Sequence, residues 1–221
     1  MKPYYKNELT TIYNGDCLEV LKNMQDNSIE LILTDPPYGI GESGKKNHSR
    51  GSLAESQKYK DYEWDNFIPS KEHFIEMKRV AKHLIIFGGN YFIEYLDNSP
   101  CWIVWDKDNG KSDFADCELA WTNFTSAVRK YKFKWQGMLQ EDMKFKEKRY
   151  HPTQKPTELF SMILQDYNKD KGLVLDCFAG SFTTSIACEK LGIKNIGIEM
   201  QKEYCDIGIK RLNNLQIKFD I

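Results

Sequence analysis

The sequence predicts an open, mostly parallel α/β sheet with helices on both faces. Two observations support this prediction: apolar runs of strand length recur along the 221 residues, and helical patterns lie between several of them. Short buried strands that alternate with helices are typical of parallel sheets. A chain of this length usually folds as one domain, so we expect a single domain over residues 1–221.

Six apolar runs have the length and composition of buried strands, and six intervening stretches have helical periodicity. The strands are expected at IELILT (29–34), HLIIFG (83–88), CWIVW (101–105), CELAW (117–121), GLVLD (172–176) and NIGIE (195–199). The helices are expected at Asp16–Met24, Ser70–Lys82, Tyr91–Asp97, Pro156–Tyr167, Ser181–Leu191 and Lys202–Asn213.

The composition indicates a cytoplasmic protein and excludes several classes. The net charge is −1, so any contact with nucleic acid has to come from a local basic patch. The absence of a signal peptide and of an apolar run of about 18 residues argues against secretion and membrane spanning. The six cysteines form no C-x-x-C pair, which favours reduced thiols over disulfides or a metal site; they are Cys17, Cys101, Cys117, Cys177, Cys188 and Cys205.

Two segments interrupt the strand and helix pattern. Residues 41–63 are polar and weakly periodic, and they are either a plain surface loop or a lid over a site.

Residues 129–155 carry nine basic and three acidic side chains, a local excess of six positive charges. The lysines at 130–134 alternate with aromatic residues, as in an ordinary edge strand or in a surface that contacts phosphates. The DNA-binding candidates are Lys130, Lys132, Lys134, Lys144, Lys146 and Arg149.

The stretch LILTDPPYGI at 31–40 places a carboxylate, two prolines and a ring at the end of a predicted strand. Proline fixes its own φ and has no N–H. The motif is therefore either a stiff turn or a rigid presentation of the Asp35 carboxylate, the Pro36 carbonyl and the Tyr38 ring. Pro37 disfavours the α region at the preceding residue and so holds that carbonyl in place.

The stretch GLVLDCFAGSFTTSIACEKLG has the pattern of a strand, a small-residue turn and a helix. Asp176 ends the strand, Gly180 lies in the turn, and Glu199 ends the next strand about twenty residues later. This arrangement indicates nucleotide binding, with the acid accepting from ribose hydroxyls. Because a full G-x-G-x-x-G is missing, an adenosyl ligand without phosphates fits better than a dinucleotide; a plain βα turn is the alternative.

Four motifs together resemble the S-adenosylmethionine-dependent DNA amino-methyltransferases, which act on exocyclic amines. DPPY matches the catalytic motif [DNS]-P-P-[YFW], and LDCFAGSFTT resembles the F-x-G-x-G cofactor loop. HPTQKP (151–156) matches another cofactor-pocket motif, and NGDCLEVL (14–21) resembles the opening segment. The order is that of the β class, and the resemblance runs from about Asn14 to Leu212.

The resemblance implies a Rossmann-like methyltransferase fold that uses S-adenosylmethionine. Asp35 and the Pro36 carbonyl would accept the two N–H bonds of a target amine. The Asp at this position favours adenine N6, with cytosine N4 as the alternative. The implied catalytic residues are Asp35, Pro36, Pro37 and Tyr38, and the implied cofactor residues are Asp16, Cys17, His151, Thr153, Lys155, Asp176, Phe178, Gly180, Ser181, Thr183 and Glu199.

The sequence departs from the family pattern in the cofactor loop. Phe182 stands where the second glycine is expected, and Cys177 stands where proline is expected. The Phe182 ring could restrict the approach of the cofactor, or it could point away from the pocket and pack. A catalytically inactive nucleic-acid-binding subunit is therefore a competing hypothesis.

The partner implied by the resemblance is DNA, with the target base flipped out of the duplex. Target recognition is expected in a short insertion at about 123–150, which predicts a short target sequence or help from a second subunit, as in a homodimer. The sequence leaves open whether a cognate restriction endonuclease accompanies the enzyme. The expected location is the cytoplasm of a bacterial or phage-infected cell.

Overall fold

A nine-stranded sheet forms the centre of the computed structural model, which describes residues 2–40, 68–110, 115–136, 139–151 and 153–219. The strand order is β1-β2-β11-β10-β3-β4-β6-β5-β7, and β8 and β9 form a separate pair. The strands are β1 Tyr5–Lys6, β2 Thr10–Asn14, β3 Ile29–Thr34, β4 Ala81–Phe87, β5 Trp102–Asp106, β6 Cys117–Thr122, β7 Arg129–Lys132, β8 Trp135–Gln136, β9 Leu139–Gln140, β10 Val174–Asp176 and β11 Asn195–Glu199.

The five central strands, β2, β11, β10, β3 and β4, are parallel. The strand β6 runs antiparallel between β4 and β5, while β7 pairs parallel with β5 at the sheet edge. The prediction of a mostly parallel open sheet is confirmed. All six predicted strands are present, with end shifts of one or two residues in four of them.

Helices cover both faces of the sheet, as predicted. Alternate residues of β3 enter different cores: Ile32 packs with α1 and α2, whereas Leu31 and Leu33 pack with α3 and α4. This is the two-residue alternation of a strand that is buried on both faces. The helices are α1 Cys17–Lys22, α2 Lys71–Val80, α3 Thr157–Tyr167, α4 Thr183–Leu191 and α5 Lys202–Phe219. In the described part of the chain, no helix is long and apolar enough to cross a membrane.

The predicted helix at Tyr91–Asp97 is wrong. Two 3₁₀ turns, Gly89–Tyr91 and Ile93–Tyr95, occupy this region. Gly88 has a φ of +66° and turns the chain as it leaves β4. Phe92 (φ −121°, ψ 20°) and Leu96 (φ −108°, ψ 145°) have non-helical backbone angles, which interrupt the hydrogen-bond pattern of an α-helix. The segment 41–63, interpreted as a loop or a lid, lies outside the described residues.

Candidate active site

A cavity of about 1230 Å³ opens at the carboxyl ends of the central strands. The four residues of the DPPY motif and all eleven predicted cofactor residues line it. They come from segments far apart in the sequence, at or just after the carboxyl ends of β2, β3, β10 and β11 and before α3. Parallel strands bring their carboxyl ends to one edge of the sheet, which is where ligands bind in open α/β folds.

The DPPY turn presents Asp35 directly after β3. The Tyr38 hydroxyl donates a hydrogen bond of 2.5 Å to Asp35 Oδ1. The Tyr38 ring packs so closely on Gly88 that a Cβ there would lie 2.1 Å from a ring carbon. The same ring stacks on Tyr91, with the ring centroids 4.9 Å apart and the planes at 16°. The aromatic surface of the motif is therefore covered by another ring in this structure.

Four charged side chains of alternating sign meet beside the DPPY turn. Lys155 Nζ lies 2.5 Å from Asp35 Oδ2 and 3.2 Å from Glu118 Oε2. Lys107 forms an ion pair with Glu118 from the other side. The Lys155 side chain is only 6% exposed. The sequence analysis identified Asp35 and Lys155 but missed Glu118 and Lys107. Glu118 could have been noticed, because it is an acidic residue inside the apolar run CELAW.

The surroundings of this cluster move its pKa values apart. Burial raises the pKa of Asp35, and Lys155 offsets only part of that effect. Burial would also raise the pKa of Glu118, but Lys155 and Lys107 outweigh it and the net shift is downward. Burial would lower the pKa of Lys155, but Asp35 and Glu118 raise it above its ordinary value. The structure therefore favours Glu118 as the more firmly ionised of the two carboxyls.

The glycine loop after β10 is held by two carboxylates, of which Asp176 is buried and Glu199 is partly buried. Asp176 accepts hydrogen bonds from Thr34 Oγ1 at 2.7 Å and Thr184 Oγ1 at 2.5 Å. Burial raises the pKa of Asp176 to about 6. Glu199 Oε2 accepts from the Gly180 N–H at 2.8 Å, and burial raises the pKa of Glu199 to about 7.

Phe182 does not enter the cavity. Its side chain is 0% exposed and packs against Gly197 of β11 and Gly208 of α5. A Cβ at either glycine would lie within 2.6 Å of the ring. Phe182 has a φ of +64°, a conformation that glycine adopts easily. Of the two alternatives for this residue, the structure favours packing away from the pocket.

Residues 151 and 153–155 of the HPTQKP motif line the cavity on the side of α3. His151 Nδ1 lies 3.1 Å from Thr153 Oγ1, and burial lowers the pKa of His151 to about 3, so the ring is neutral. Gln154, which sequence analysis did not select, accepts a hydrogen bond of 3.1 Å from Ser181 Oγ. This bond ties the segment to the glycine loop.

The N-terminal end of α1 forms the remaining wall of the cavity. Asp16 caps the helix by accepting from the Leu18 N–H at 2.9 Å. The atoms of Asp16, Cys17 and His73 that could bind a metal lie within 4.8 Å of one another. Burial raises the pKa of the Cys17 thiol to about 12, which disfavours the thiolate that a metal needs.

Comparisons with known proteins agree with this geometry. The family model described as DNA methylase matches residues 104–210. The Type II methyltransferase M.HinfI of Haemophilus influenzae is 31% identical over 260 residues, covering 98% of this chain and 72% of the relative. The chain belongs to the N6/N4 DNA methylase family.

Other DNA methylases of this kind are similar over almost their full length. The Type II methyltransferase M2.LlaDCHI of Lactococcus lactis subsp. cremoris is 26% identical, with 96% of this chain and 92% of the relative covered. The crystal structure of an M1.HpyAVI-SAM complex matches with a TM-score of 0.59 at 24% identity, covering 93% of this chain and 100% of that one. The cytosine-N4-specific PvuII DNA methyltransferase matches with a TM-score of 0.63 at 17% identity, covering 95% and 88%. These two structural matches show the shared fold.

The basic residues of this DNA methylase fall into two groups. Lys130 lies 3.2 Å from Asp106, and Lys132 and Lys134 lie 3.1 and 3.3 Å from Asp108. Asp106 and Asp108 lie outside the segment 129–155, so they neutralise part of the six-charge excess that was counted within it. The strand β7 lies at the edge of the sheet, which agrees with the edge-strand alternative for the lysines at 130–134. Lys144 and Lys146 are exposed, and Arg149 lines the cavity with its guanidinium 4.6 Å from the Trp135 ring centroid.

Proposed function

We propose that this DNA methyltransferase transfers a methyl group from S-adenosylmethionine to the N6 amine of adenine at a specific DNA site. One observation carries the proposal: Asp35 of the DPPY turn and Glu199 beyond the glycine loop line the same cavity. A carboxylate for the amine and a carboxylate for a nucleoside thus lie in a single site. The family membership supports DNA as the substrate.

The residues around the glycine loop fit an adenosyl cofactor. A Cβ at Gly180 would meet only His151, at 3.9 Å among the described residues, so the loop leaves room for a ligand. An ionised Glu199 is an acceptor only, which suits ribose hydroxyls. When bound, S-adenosylmethionine supplies an electrophilic methyl group. Asp16 and Cys17 would face its adenine, and its ribose and methionine parts would contact His151, Thr153, Asp176, Phe178, Gly180, Ser181 and Thr183.

Lys155 receives a different proposed role from the one that the family resemblance implied. The resemblance assigned its ammonium group to the carboxylate of the cofactor. Its 2.5 Å contact with Asp35 supports a role at the target amine instead. We therefore assign Lys155 to the DPPY turn.

The DPPY turn would activate the amine through its two acceptors. An exocyclic amine is a poor nucleophile because its lone pair is delocalised into the ring. Asp35 would accept one N–H bond and the Pro36 carbonyl the other, which localises the lone pair on nitrogen. As the N–C bond forms and the bond between the methyl group and sulfur breaks, sulfur would leave as a neutral thioether and the nitrogen would gain positive charge, which the Asp35 carboxylate stabilises. The raised pKa of Asp35 favours its acting as the acceptor of the proton that nitrogen then releases.

The target base would have to leave the DNA stack. The Asp35 side chain is 19% exposed and lies inside the cavity, where the amine of a paired base cannot reach it. The Tyr38 ring is the proposed stacking surface for the flipped base. Because Tyr91 already stacks on that ring, we propose that Tyr91 moves aside when the base enters.

DNA contacts are proposed for Lys144, Lys146 and Arg149, which are exposed or line the cavity mouth. DNA contacts are less favoured for Lys130, Lys132 and Lys134, because these lysines already pair with Asp106 and Asp108. The short recognition region at about 123–150 supports a homodimer in which a second copy extends the DNA contact; light scattering with and without DNA tests it.

A cognate restriction endonuclease is proposed as a functional partner, because the relatives M.HinfI and M2.LlaDCHI are Type II methyltransferases. The cytoplasm of a bacterial or phage-infected cell is the proposed location. Expression of the chain in such cells, followed by a search for a sequence that becomes resistant to cleavage, tests the partnership.

Mass spectrometry of nucleosides tests the central proposal. Unmethylated genomic DNA is incubated with the protein and S-adenosylmethionine and then digested. N6-methyladenine is expected with the wild type and none with Asp35→Ala, while calorimetry shows that the variant still binds the cofactor. N4-methylcytosine alone would replace adenine by cytosine as the target. No methylated base, together with no cofactor binding, would favour an inactive DNA-binding subunit.

A further inference from the structure

Two carboxylates share one buried lysine beside the DPPY turn, and the proposed chemistry uses only one of them. We propose that Glu118 is a positioning residue for methyl transfer: it offsets the positive charge of Lys155, so that the Asp35 carboxylate keeps its negative potential toward the target amine. This inference rests on the proposed function. It assigns Glu118 and its partner Lys107 a role in the reaction.

The geometry gives a continuous chain of alternating charges. Asp35 Oδ2 and Glu118 Oε2 lie 2.5 and 3.2 Å from Lys155 Nζ, and Lys107 pairs with Glu118 Oε1. These residues come from four places in the fold: the end of β3, the segment before α3, strand β6 and the segment after β5. Local sequence constraints therefore do not explain their meeting.

Glu118 Oε2 is buried and has no hydrogen-bond partner in the described part of the chain. Its 3.2 Å approach to Lys155 Nζ is an ion pair without hydrogen-bond geometry. An oxygen held in this way acts on its neighbours mainly through its charge. Buried ion pairs contribute little net stability, because desolvation offsets the attraction between the charges. Stability alone is thus a weak reason for two of them at the wall of an active-site cavity.

The electrostatic consequence falls on Asp35. Lys155 alone would cancel the charge of the Asp35 carboxylate just where the target nitrogen becomes positive. Charges interact strongly in a partly buried site, so this cancellation would weaken the stabilisation of the developing cation. Glu118 offsets Lys155 and restores negative potential at Asp35. Lys107, on the far side of Glu118, limits that effect.

Several other groups face this cluster and belong in any account of its pH dependence. Tyr38 donates to Asp35 from the same turn, and its pKa lies well above its usual value, chiefly through burial. Asp35 raises the pKa of Asp176 on β10 as a like charge, and the His151 ring, with a pKa of about 3, is neutral near pH 7. The groups to consider are thus Tyr38, Lys107, Glu118, His151, Lys155 and Asp176.

The test compares two variants that are expected to shift the same pH profile in opposite directions. The acid limb of kcat/KM for DNA, measured with saturating S-adenosylmethionine at every pH so that the titration of Glu199 does not contribute, reports ionisation of Asp35. Glu118→Gln removes a negative charge, so the limb should move to lower pH by roughly one unit and the plateau should fall roughly 10–100-fold. Lys107→Met removes a positive charge, so the limb should move to higher pH. Tritiated methyl transfer to unmethylated genomic DNA gives the rates.

The matched control is Glu30→Gln, at the other end of β3. Glu30 pairs with Lys82 at 2.7 Å on the surface, so this variant also breaks one acid–lysine pair. It should leave both the limb and the plateau unchanged. Glu118→Asp keeps the charge and should recover most of the rate. An unchanged limb and plateau in Glu118→Gln would overturn the inference, and so would shifts of the same sign in Glu118→Gln and Lys107→Met.

A second readout needs no catalysis. Carbon-13 NMR of the cofactor-free protein follows the Asp35 carboxyl, assigned by its loss in Asp35→Asn. Its pKa should fall in Glu118→Gln and rise in Lys107→Met. These shifts test the coupling even if the protein methylates another base, which keeps failure of this inference distinct from failure of the proposed function. If Glu118→Gln does not fold, the Lys107→Met shift decides alone.

Discussion

Phe182 shows how one side chain can hold a backbone position that glycine usually occupies. Its left-handed φ of +64° costs about 1–2 kcal/mol for a residue with a Cβ. Its fully buried ring contributes about 1.5–3 kcal/mol through burial of apolar surface. Gly197 and Gly208 leave the space for the ring. The sequence showed the substitution, but the two glycines that accept the ring are visible only in the fold.

Phe182→Gly, which restores the family residue, should therefore destabilise this chain. The variant relieves backbone strain but leaves a cavity between β11 and α5, and removal of a buried phenylalanine ring costs about 3–5 kcal/mol. We expect a net loss of about 2–3 kcal/mol in the free energy of unfolding, measured by urea denaturation. A variant as stable as the wild type would show that the ring contributes little.

Glu199 predicts how cofactor binding depends on pH. Burial raises its pKa from 4.5 to about 7, so near pH 6 much of the carboxyl is protonated. A protonated carboxyl loses acceptor capacity for ribose hydroxyls, and affinity for S-adenosylmethionine should rise between pH 6 and pH 8. Calorimetry in two buffers of different ionisation enthalpy should also detect a released proton near pH 7. A flat affinity profile would contradict this role for Glu199.

The same shift has a consequence for the stability of the cofactor-free protein. The folded-state pKa is above the unfolded value, so the contribution of Glu199 to stability is present below pH 4.5 and is lost as pH rises through about 7. Glu199→Gln should accordingly have a higher Tm than the wild type at pH 8 and no such advantage at pH 4.5. Thermal melts at the two pH values measure the difference.

At the scale of the element, β7 explains why a charge count along the sequence misleads. Its lysines look unpaired because their partners, Asp106 and Asp108, precede them by more than twenty residues. The parallel register of β5 and β7, which aligns Asp106 with Lys132, brings the acids alongside. The strand itself was foreseeable from its alternation, but its neighbour in the sheet was not.

Two double variants separate an edge strand from a DNA-contacting surface. Lys144→Met with Lys146→Met should weaken DNA binding and reduce the slope of log K against log[salt] by about one per lost phosphate contact. Lys130→Met with Lys132→Met is the matched control and should change the slope little. Fluorescence anisotropy over a salt series gives both slopes. A larger effect of the control pair would restore the β7 lysines as the main DNA contacts.

Elements were predictable where a local pattern decides them. The parallel strands β3, β4, β10 and β11 are short apolar runs, and their burial on both faces follows from that composition. The segment 91–97 has helical spacing, but the non-helical backbone at Phe92 and Leu96 interrupts it. The charged cluster could not be predicted, because nothing in the sequence around Glu118 indicates that Lys155, Lys107 and Asp35 lie beside it in the fold.

At the scale of the whole molecule, a buried hydrogen bond connects the two halves of the site. Thr34, at the end of β3, donates to Asp176 at the end of β10, so the DPPY turn and the glycine loop are fixed relative to each other. Both motifs follow predicted strands, and the carboxyl ends of parallel strands lie at one edge of a sheet, so a common cleft was foreseeable. The bond that holds them together was not predicted, since it joins residues 142 positions apart.

Thr34→Val should loosen this connection. Valine has a similar shape but no hydroxyl, so the buried Asp176 carboxyl loses a donor, at a cost of about 1–3 kcal/mol in unfolding free energy. The pKa of Asp176 should rise further, and methyl transfer should slow more than cofactor binding weakens. Denaturation, calorimetry and single-turnover rates measure these effects. Thr34→Ser, which keeps the hydroxyl, should behave like the wild type.

The cysteines differ in exposure in a way that allows a fluorophore to be attached at one position of the native chain. Five of the six cysteines are buried, whereas Cys117 is exposed and lies at the wall of the cavity next to Glu118. A maleimide fluorophore should therefore label this position selectively without any cysteine having to be removed. Its emission would report, in real time, when a nucleotide enters or leaves the cavity.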